Sequence, residues 1–218
     1  MHFHIITLFQ NAFSSYLGES ILKRAIEDKK VRVSFYNPRD FVKDKWKRID
    51  RAPYAGGPGM VIQAEPVIKA VERAIKKSKS KPQAVKIIFL SPSGKQFSNE
   101  YAKKLAKKYK HTIIICGRYE GVDARVKKVF KTEDVSVGPY ILTGGELPAM
   151  IILDTVARQV KGVLGNFDSL EERRTSARDV YTRPETFKYK GKTYKVPKVL
   201  LSGNRAEIDK WKKGLDKK

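Results

Sequence analysis

Four short runs constrain this chain more than anything else in it: HFHIITL (2–8), VRVSFY (31–36), AVKIIFL (84–90) and TIIIC (112–116). They are apolar over most of their length, the pattern of β-strands buried on both faces. Between and after them lie stretches with helical spacing at 13–28, 65–79, 98–109 and roughly 145–160, the last of them strongly apolar. A short helix is expected at 122–130 and a short strand at 134–138. Strands alternating with helices predict an α/β fold with a mostly parallel sheet covered on both faces. One connection is anomalous. Asn37–Met60 is rich in Pro, Gly and charge and too long for an ordinary loop, so it is functional or mobile. KSKSKP (77–82) reads as a solvated turn, and there is no internal repeat.

The chain has 218 residues, enough for one or two domains with a real core. The composition shifts after Gly162. GNFDSLEERRTSAR (165–178) is polar and reads as a linker, YTRPETFKYKGKTYKVP as irregular or hairpin-like, and NRAEIDKWKK (204–213) as helical. The expected organisation is a main domain over 1–161, an inter-domain linker over 162–178 and a small, mainly helical C-terminal domain over 179–218.

Charge points to a partner rather than a fold. There are 46 Lys and Arg against 23 Asp and Glu, a formal net charge of +23. Such an excess attracts polyanions. Nucleic acid is the first expectation and an anionic membrane the second. No apolar run is long enough to span a bilayer, and no cleavage site follows HFHIITLF, so it is not a signal peptide. One cysteine, Cys116, excludes an internal disulfide and fits a cytoplasmic location.

In open parallel sheets, ligands sit beyond the carboxyl ends of the strands. The segments there are Ser91-Pro92-Ser93-Gly94, Gly117-Arg118-Tyr119-Glu120-Gly121 and Pro139 to Pro148, all rich in Gly or Pro. Any one of them reads as an ordinary turn. Three at one edge favour a pocket of backbone amides and carbonyls, suited to a flat adenine with few charges. Nucleotide fingerprints are absent: there is no G-x-G-x-x-G, and Gly191-Lys192-Thr193 fails as a phosphate loop because Thr186 stands where a glycine is required. A nicotinamide enzyme or an ATPase is therefore not expected. His2 and His4 share a strand face and Cys116 could join them, but no spacing matches a zinc motif, so packed or surface histidines are the better account and no metal site is expected.

In combination, PRDF (38–41), RAPYAGGPGM (51–60), LSPSGK (90–95), ICGRYEGVDARV (115–126), SVGPYILTGGELPAM (136–150), ARQVKGVLG (157–165), YTRPE (181–185) and LLSGNRAEI (200–208) resemble the bacterial tRNA (guanine-N1)-methyltransferase family, a branch of the SPOUT superfamily. CGRYEG and LTGGELPA are specific, and the ordered set is stronger than either. The resemblance implies a SPOUT-type parallel sheet with a deep trefoil knot, a rare exception to unknotted chains. It also implies a homodimer with an active site shared between subunits, and S-adenosyl-L-methionine as cofactor. The matching pocket residues are Leu90, Ser91, Pro92, Gly117, Tyr119, Glu120, Gly121, Ser136, Val137, Gly138, Tyr140, Leu142, Gly144, Gly145 and Pro148. The implied reaction is methylation of N1 of the guanosine 3′ of the anticodon in tRNA.

Guanine N1 carries a proton at neutral pH, so the chemistry asks for a general base and a cation near O6. The resemblance assigns these roles to Asp168, in FDSLEE, and Arg158, at the end of the apolar helix. Read without it, Asp168 is a solvated linker acid and Arg158 a helix C-terminal cation. Glu120 has two readings, a ligand for the Mg²⁺ that the resemblance implies or a carboxylate that holds its loop. Lys103, Lys104, Lys107 and Lys108 read as a solvated face. The tail is a better RNA contact, because Arg183, Lys188, Lys190, Lys192, Lys195, Lys198 and Lys212 are interleaved with Tyr181, Phe187, Tyr189, Tyr194 and Trp211; Asn204 joins them through the SGN motif.

Some positions depart from the family pattern. Pro139 stands where an Asp is usual, removing a carboxylate and an amide donor together. Ala55 replaces a Gly, Ala124 a Glu and Arg205 a His, and the linker before YTRPE is altered. Two alternatives follow: an RNA-binding homologue with reduced or lost activity, and a SPOUT methyltransferase with another RNA target.

Overall fold

A computed structural model describes residues 1–54, 56–165 and 179–214. The chain falls into two compact units, Met1–Leu164 and Gly165–Lys218.

The first unit is built on five parallel strands: β1 (His2–Ile6), β2 (Arg32–Tyr36), β5 (Val85–Gln96), β6 (His111–Ile115) and β7 (Glu133–Ser136). Their order across the sheet is β2-β1-β6-β5-β7. The short strands β3 (Asp50–Arg51) and β4 (Val61–Ile62) pair antiparallel outside it. The helices are α1 (Ser14–Leu17), α2 (Ser20–Glu27), α3 (Ala64–Ser78), α4 (Asn99–Lys108), α5 (Arg125–Val129) and α6 (Glu146–Ala157).

Apolar side chains alternate along each strand between two cores. Phe3, Ile5, Ile88 and Ile114 pack on one face with Leu22, Leu105, Ile152 and Leu153. Ile6, Phe89, Ile113 and Ile115 pack on the other with Val67, Ala70, Val71 and Ala74 of α3. Covering on both faces explains why these strands lack polar alternation. Helix α4 starts where Ser98 accepts a hydrogen bond from the Tyr101 amide, and Lys107 and Lys108 close its last turn.

Several expectations need correction. The helix expected over 13–28 is broken into a 3-10 turn, Gln10–Phe13, and the two pieces α1 and α2, which meet at Gly18. Of the two readings of the 37–60 segment, functional or mobile, only mobility is opposed, since Pro38–Phe41 forms a 3-10 turn capped by Asn37 and Ile49 is fully buried. Strand β5 does not stop at residue 90. Leu90 and Lys95 both register on Val135, so β5 meets β7 twice, with Ser91–Gly94 between the two contacts. At the second contact Gly94 lies against the Asp134–Val135 peptide, where a Cβ would stand 2.5 Å from the Val135 nitrogen. Only glycine permits that approach.

The second unit contains the hairpin β8 (Thr186–Tyr189) and β9 (Lys192–Lys195), then α7 (Lys198–Leu201) and α8 (Arg205–Lys212). The hairpin-like reading of this segment holds, because the alternating TFKY and KTYK segments zip across Lys190-Gly191.

At the amino edge of the sheet, His2 and His4 are joined by His111, not by Cys116 as the sequence suggested. Cys116 ends β6 at the opposite edge and packs in the core with Ala149 and Ile152. His4 is fully buried, and burial with the nearby His2 and His111 pushes its pKa down to about 3. Burial, His111, Arg32 and the amino terminus push His2 down to about 4. Unfolded imidazoles protonate near pH 6.5. Between that pH and these depressed values the unfolded chain binds more protons, so the contribution of the pair is complete above about pH 6.5 and is lost as pH falls towards 4 and then 3. In chelator-containing buffer, Tm is expected to drop over this window with a shallower slope in His2→Gln than in the parent. Equal slopes by calorimetry would remove His2 from the acid response.

Candidate active site

The Leu90–Pro92 stretch of β5, at its irregularity, and the loops after β6 and β7 meet at one edge of the sheet and line a cavity of about 260 Å³. They are tied to one another by the backbone. The Gly145 amide donates to the Gly117 carbonyl at 2.8 Å, and Arg118 and Gly144 form an antiparallel bridge. The 37–60 segment is secured to the same rim, where the Glu120 amide donates to the Met60 carbonyl and the Ile62 amide to the Gly121 carbonyl, each at 3.0 Å.

All fifteen residues expected in a cofactor pocket lie in this wall, namely Leu90, Ser91, Pro92, Gly117, Tyr119, Glu120, Gly121, Ser136, Val137, Gly138, Tyr140, Leu142, Gly144, Gly145 and Pro148. Arg118, Val135, Ile141 and Thr143 complete it. Most of this lining is backbone or apolar. Its charged residues are Arg118 and Glu120.

Arg118 is committed to a network that the sequence did not reveal. Its Nε donates to Glu146 Oε2 at 2.8 Å, and its guanidinium lies 4.6 Å from the Phe9 ring centroid. Thr7 Oγ1 donates to the other oxygen of Glu146 at 2.7 Å. Glu146 is 3% exposed and opens α6, where a helix N-terminus favours negative charge. The network therefore joins the end of β1, the loop after β6 and the head of α6. The available signal was a carboxylate leading an otherwise apolar helix, which must find a partner when buried. Cys116 sits beside it; burial and the Glu146 charge raise its thiol pKa well above the usual range, which leaves it an unreactive core residue.

The other expected site residues lie elsewhere. Arg158 caps the C-terminus of α6, its amide donating to the Asp154 carbonyl at 3.1 Å, and it is not in the cavity wall. Asp168 lies outside the described residues. In the second unit, Lys188 and Lys192 are on the exposed hairpin, where Phe187 and Tyr194 stack with centroids 5.2 Å apart and Lys192 registers opposite Tyr189. Lys198 opens α7 and Lys212 closes α8. Arg183 is exposed near Tyr181, whose ring meets Trp211 at 6.0 Å. Asn204 is a helix cap; its side-chain oxygen accepts from the Ala206 and Glu207 amides.

A parallel α/β sheet carrying a glycine-rich cavity at one edge, with Arg118 and Glu120 as its charged lining, defines an α/β protein with a cavity where such folds place their ligands. The family model described as tRNA (Guanine-1)-methyltransferase TrmD matches residues 1–218, and the chain belongs to that family of enzymes. It is 43% identical to the tRNA (guanine-N(1)-)-methyltransferase of Dehalococcoides mccartyi (strain CBDB1) over 217 residues, covering 98% of this chain and 84% of the relative. It is 46% identical to the protein of that name from Dictyoglomus turgidum over 213 residues, covering 96% and 82%. Among the described residues, no helix is long and apolar enough to cross a membrane.

Breaking the buried pair is expected to harm both stability and ligand binding. Arg118→Ala leaves Glu146 without its cation, at a cost of about 3 kcal/mol. The double change Arg118→Ala with Glu146→Gln should recover part of that loss in denaturant unfolding, because the uncompensated charge is gone. Strict additivity of the two single changes would show that the groups do not act as a pair.

Proposed function

We propose that the cavity holds S-adenosyl-L-methionine and that the protein methylates N1 of the guanosine 3′ of the anticodon in tRNA. The observation that carries this reading is the convergence of the fifteen loop residues on one cavity, in a chain that belongs to the tRNA (guanine-1)-methyltransferase family. The cavity suits the cofactor chemically. Backbone groups of the three loops face a base and ribose, and nothing lies within 4 Å of where a Cβ would stand on Gly121, so that wall is open to a ligand. Glu120 places one negative charge in the lining, the sign that accompanies a sulfonium. When bound, the cofactor supplies an activated methyl group.

The chain's own residues do the rest. Asp168 removes the N1 proton as general base. Arg158 faces O6, where negative charge gathers once that proton is gone. Both act on the cavity of a second copy of the chain, so the working unit is a homodimer. Two features support an interface beside the cavity. Helix α6 is apolar nearly all round, yet Leu147 is 52% exposed, and Ile141 in the preceding loop is 86% exposed. The double contact of β5 with β7 and the return of the 137–145 segment to Gly117 support a trefoil knot around the site. The target base leaves its stack to reach the methyl group, while Arg183, Lys188, Lys192, Lys198, Asn204 and Lys212 hold the RNA.

Mg²⁺ fits less well. It prefers six oxygen ligands, Glu120 is the one carboxylate among the lining residues, and Pro139 stands where the family pattern has an acid. No step is assigned to it. A tRNA substrate and the net charge of +23 are consistent with a cytoplasmic location.

Calorimetry with S-adenosyl-L-methionine, followed by transfer of labelled methyl to a tRNA transcript, tests the reading. The parent should bind and transfer. Asp168→Ala should bind the cofactor with unchanged affinity and lose transfer by at least about a hundredfold, the range of a general base. Cofactor binding by the parent without any transfer would favour an RNA-binding homologue that has lost activity. Undiminished transfer to a transcript lacking the guanine beside the anticodon would overturn the target.

A further inference from the structure

The amino edge of the sheet holds a second constellation, separate from the cavity. His2 and His4 flank Phe3 on β1 and project from the same face, and β6 registers His111 beside His2. One ring nitrogen from each of the three lies within 4.8 Å of the others. The closest pair, His4 Nε2 and His111 Nδ1, are 3.0 Å apart. The His2 and His4 rings stack with centroids 4.0 Å apart, and the His111 ring lies 5.3 to 5.4 Å from both.

Neighbouring groups on β2 engage the other side of two rings. Tyr36 Oη meets His4 Nδ1, and Ser34 Oγ meets His2 Nε2, each at 2.9 Å. Metal-binding histidines are commonly oriented this way, with one nitrogen on an oxygen partner and the other turned to the ion. A hydrogen-bonded stack of packed histidines accounts for the contact between His4 and His111. It gives no reason for a third imidazole to converge on the same point, nor for the opening beside it. His2 and His111 line a cavity of about 500 Å³ with Tyr109 and the basic residues Lys29, Arg32 and Lys110.

We propose that His2, His4 and His111 form a site for a divalent transition metal of the zinc class, with the fourth coordination position open to the adjoining cavity. An all-nitrogen donor set excludes Mg²⁺ and Ca²⁺, which take oxygen ligands, and suits zinc, nickel or copper. Three histidines with one open position is an established zinc coordination. The positive charges of Arg32, Lys110 and the amino terminus oppose a dication, so affinity is lower than where a carboxylate assists. The ion would bind the folded sheet and not the unfolded chain, and so would clamp β1 to β6 at the end of the strands remote from the ligand cavity. No sequence motif records the site because His111 is 107 residues from His4.

The test uses the full chain, stripped by dialysis against a chelator, with Zn²⁺ alone titrated by calorimetry and Co²⁺ by visible absorption. One equivalent per chain, a four-coordinate Co²⁺ spectrum and a rise in Tm on adding Zn²⁺ are expected. His111→Gln and His2→Gln alter partly exposed rings and should leave the metal-free Tm close to the parent, while weakening Zn²⁺ by about tenfold or more. His4 is buried, so its variant is not needed for the decision. Absence of heat and of a Co²⁺ band at millimolar metal would overturn the site, as would undiminished binding in His111→Gln. Neither readout depends on methyl transfer, so failure here leaves the proposed function standing.

Discussion

The Asp134–Val135 peptide has Gly94 pressed against it, and much of the first unit follows from that contact. Because β5 meets β7 before and after Ser91–Gly94, those four residues must pass between two fixed contacts on one partner strand. They have little freedom to collapse inwards, and Ser91 and Pro92 form part of the cavity wall. A side chain at 94 would separate the strands at Val135 and displace Ser136, whose hydroxyl donates to the Gly138 carbonyl at 2.9 Å and so shapes the next loop. The geometry of the cavity thus rests on a packing restriction in the sheet beneath it.

The Thr7–Glu146–Arg118 network answers a different demand. Three loops can approach one point only if their ends are held, and backbone hydrogen bonds hold Gly145 to Gly117 without fixing the direction of α6. A buried carboxylate with two directional partners does so. It costs desolvation, which the charge of Arg118 and the head of α6 offset. Using Arg118 this way also takes its charge away from the ligand. That argues against a pocket for a bare phosphate, which would need an uncommitted cation or helix amides.

The sheet was legible in the sequence because burial on both faces leaves uninterrupted apolar runs, and the three loops were legible because glycine and proline cluster there. What stayed hidden depended on contacts between distant residues. The break in the first helix at Gly18 and the anchoring of the 37–60 segment by Ile49 and Pro38 are tertiary effects with little local pattern. The second contact of β5 with β7 falls in residues whose composition reads as a turn. The Arg118–Glu146 pair spans 28 residues and the histidine cluster more than a hundred, so no spacing rule reaches either. The fifteen cavity residues were named through a family resemblance, whereas strand order and composition supplied three segments at one edge and a shared pocket without its individual residues.

The net charge of +23 and the nearly neutral cavity divide the work of recognition between them. On the proposed reading, lysines on solvated faces and on the hairpin attract an RNA at a distance, with a strength that falls steeply as salt rises and that is nearly blind to sequence. They cannot select a nucleotide. Selection needs short-range contacts to a base edge, which the exposed stack of Phe187 and Tyr194 does not offer, since aromatic rings meet base faces of any sequence. On the proposed reading the final choice belongs to the acid and the arginine brought to the cavity by a second copy. Long-range attraction then governs how often RNA arrives, while the geometry of two imported side chains decides which arrivals react. Such an arrangement tolerates many changes among surface lysines but few around Gly94 or Glu146, because only the latter fix where the methyl group and its acceptor must meet.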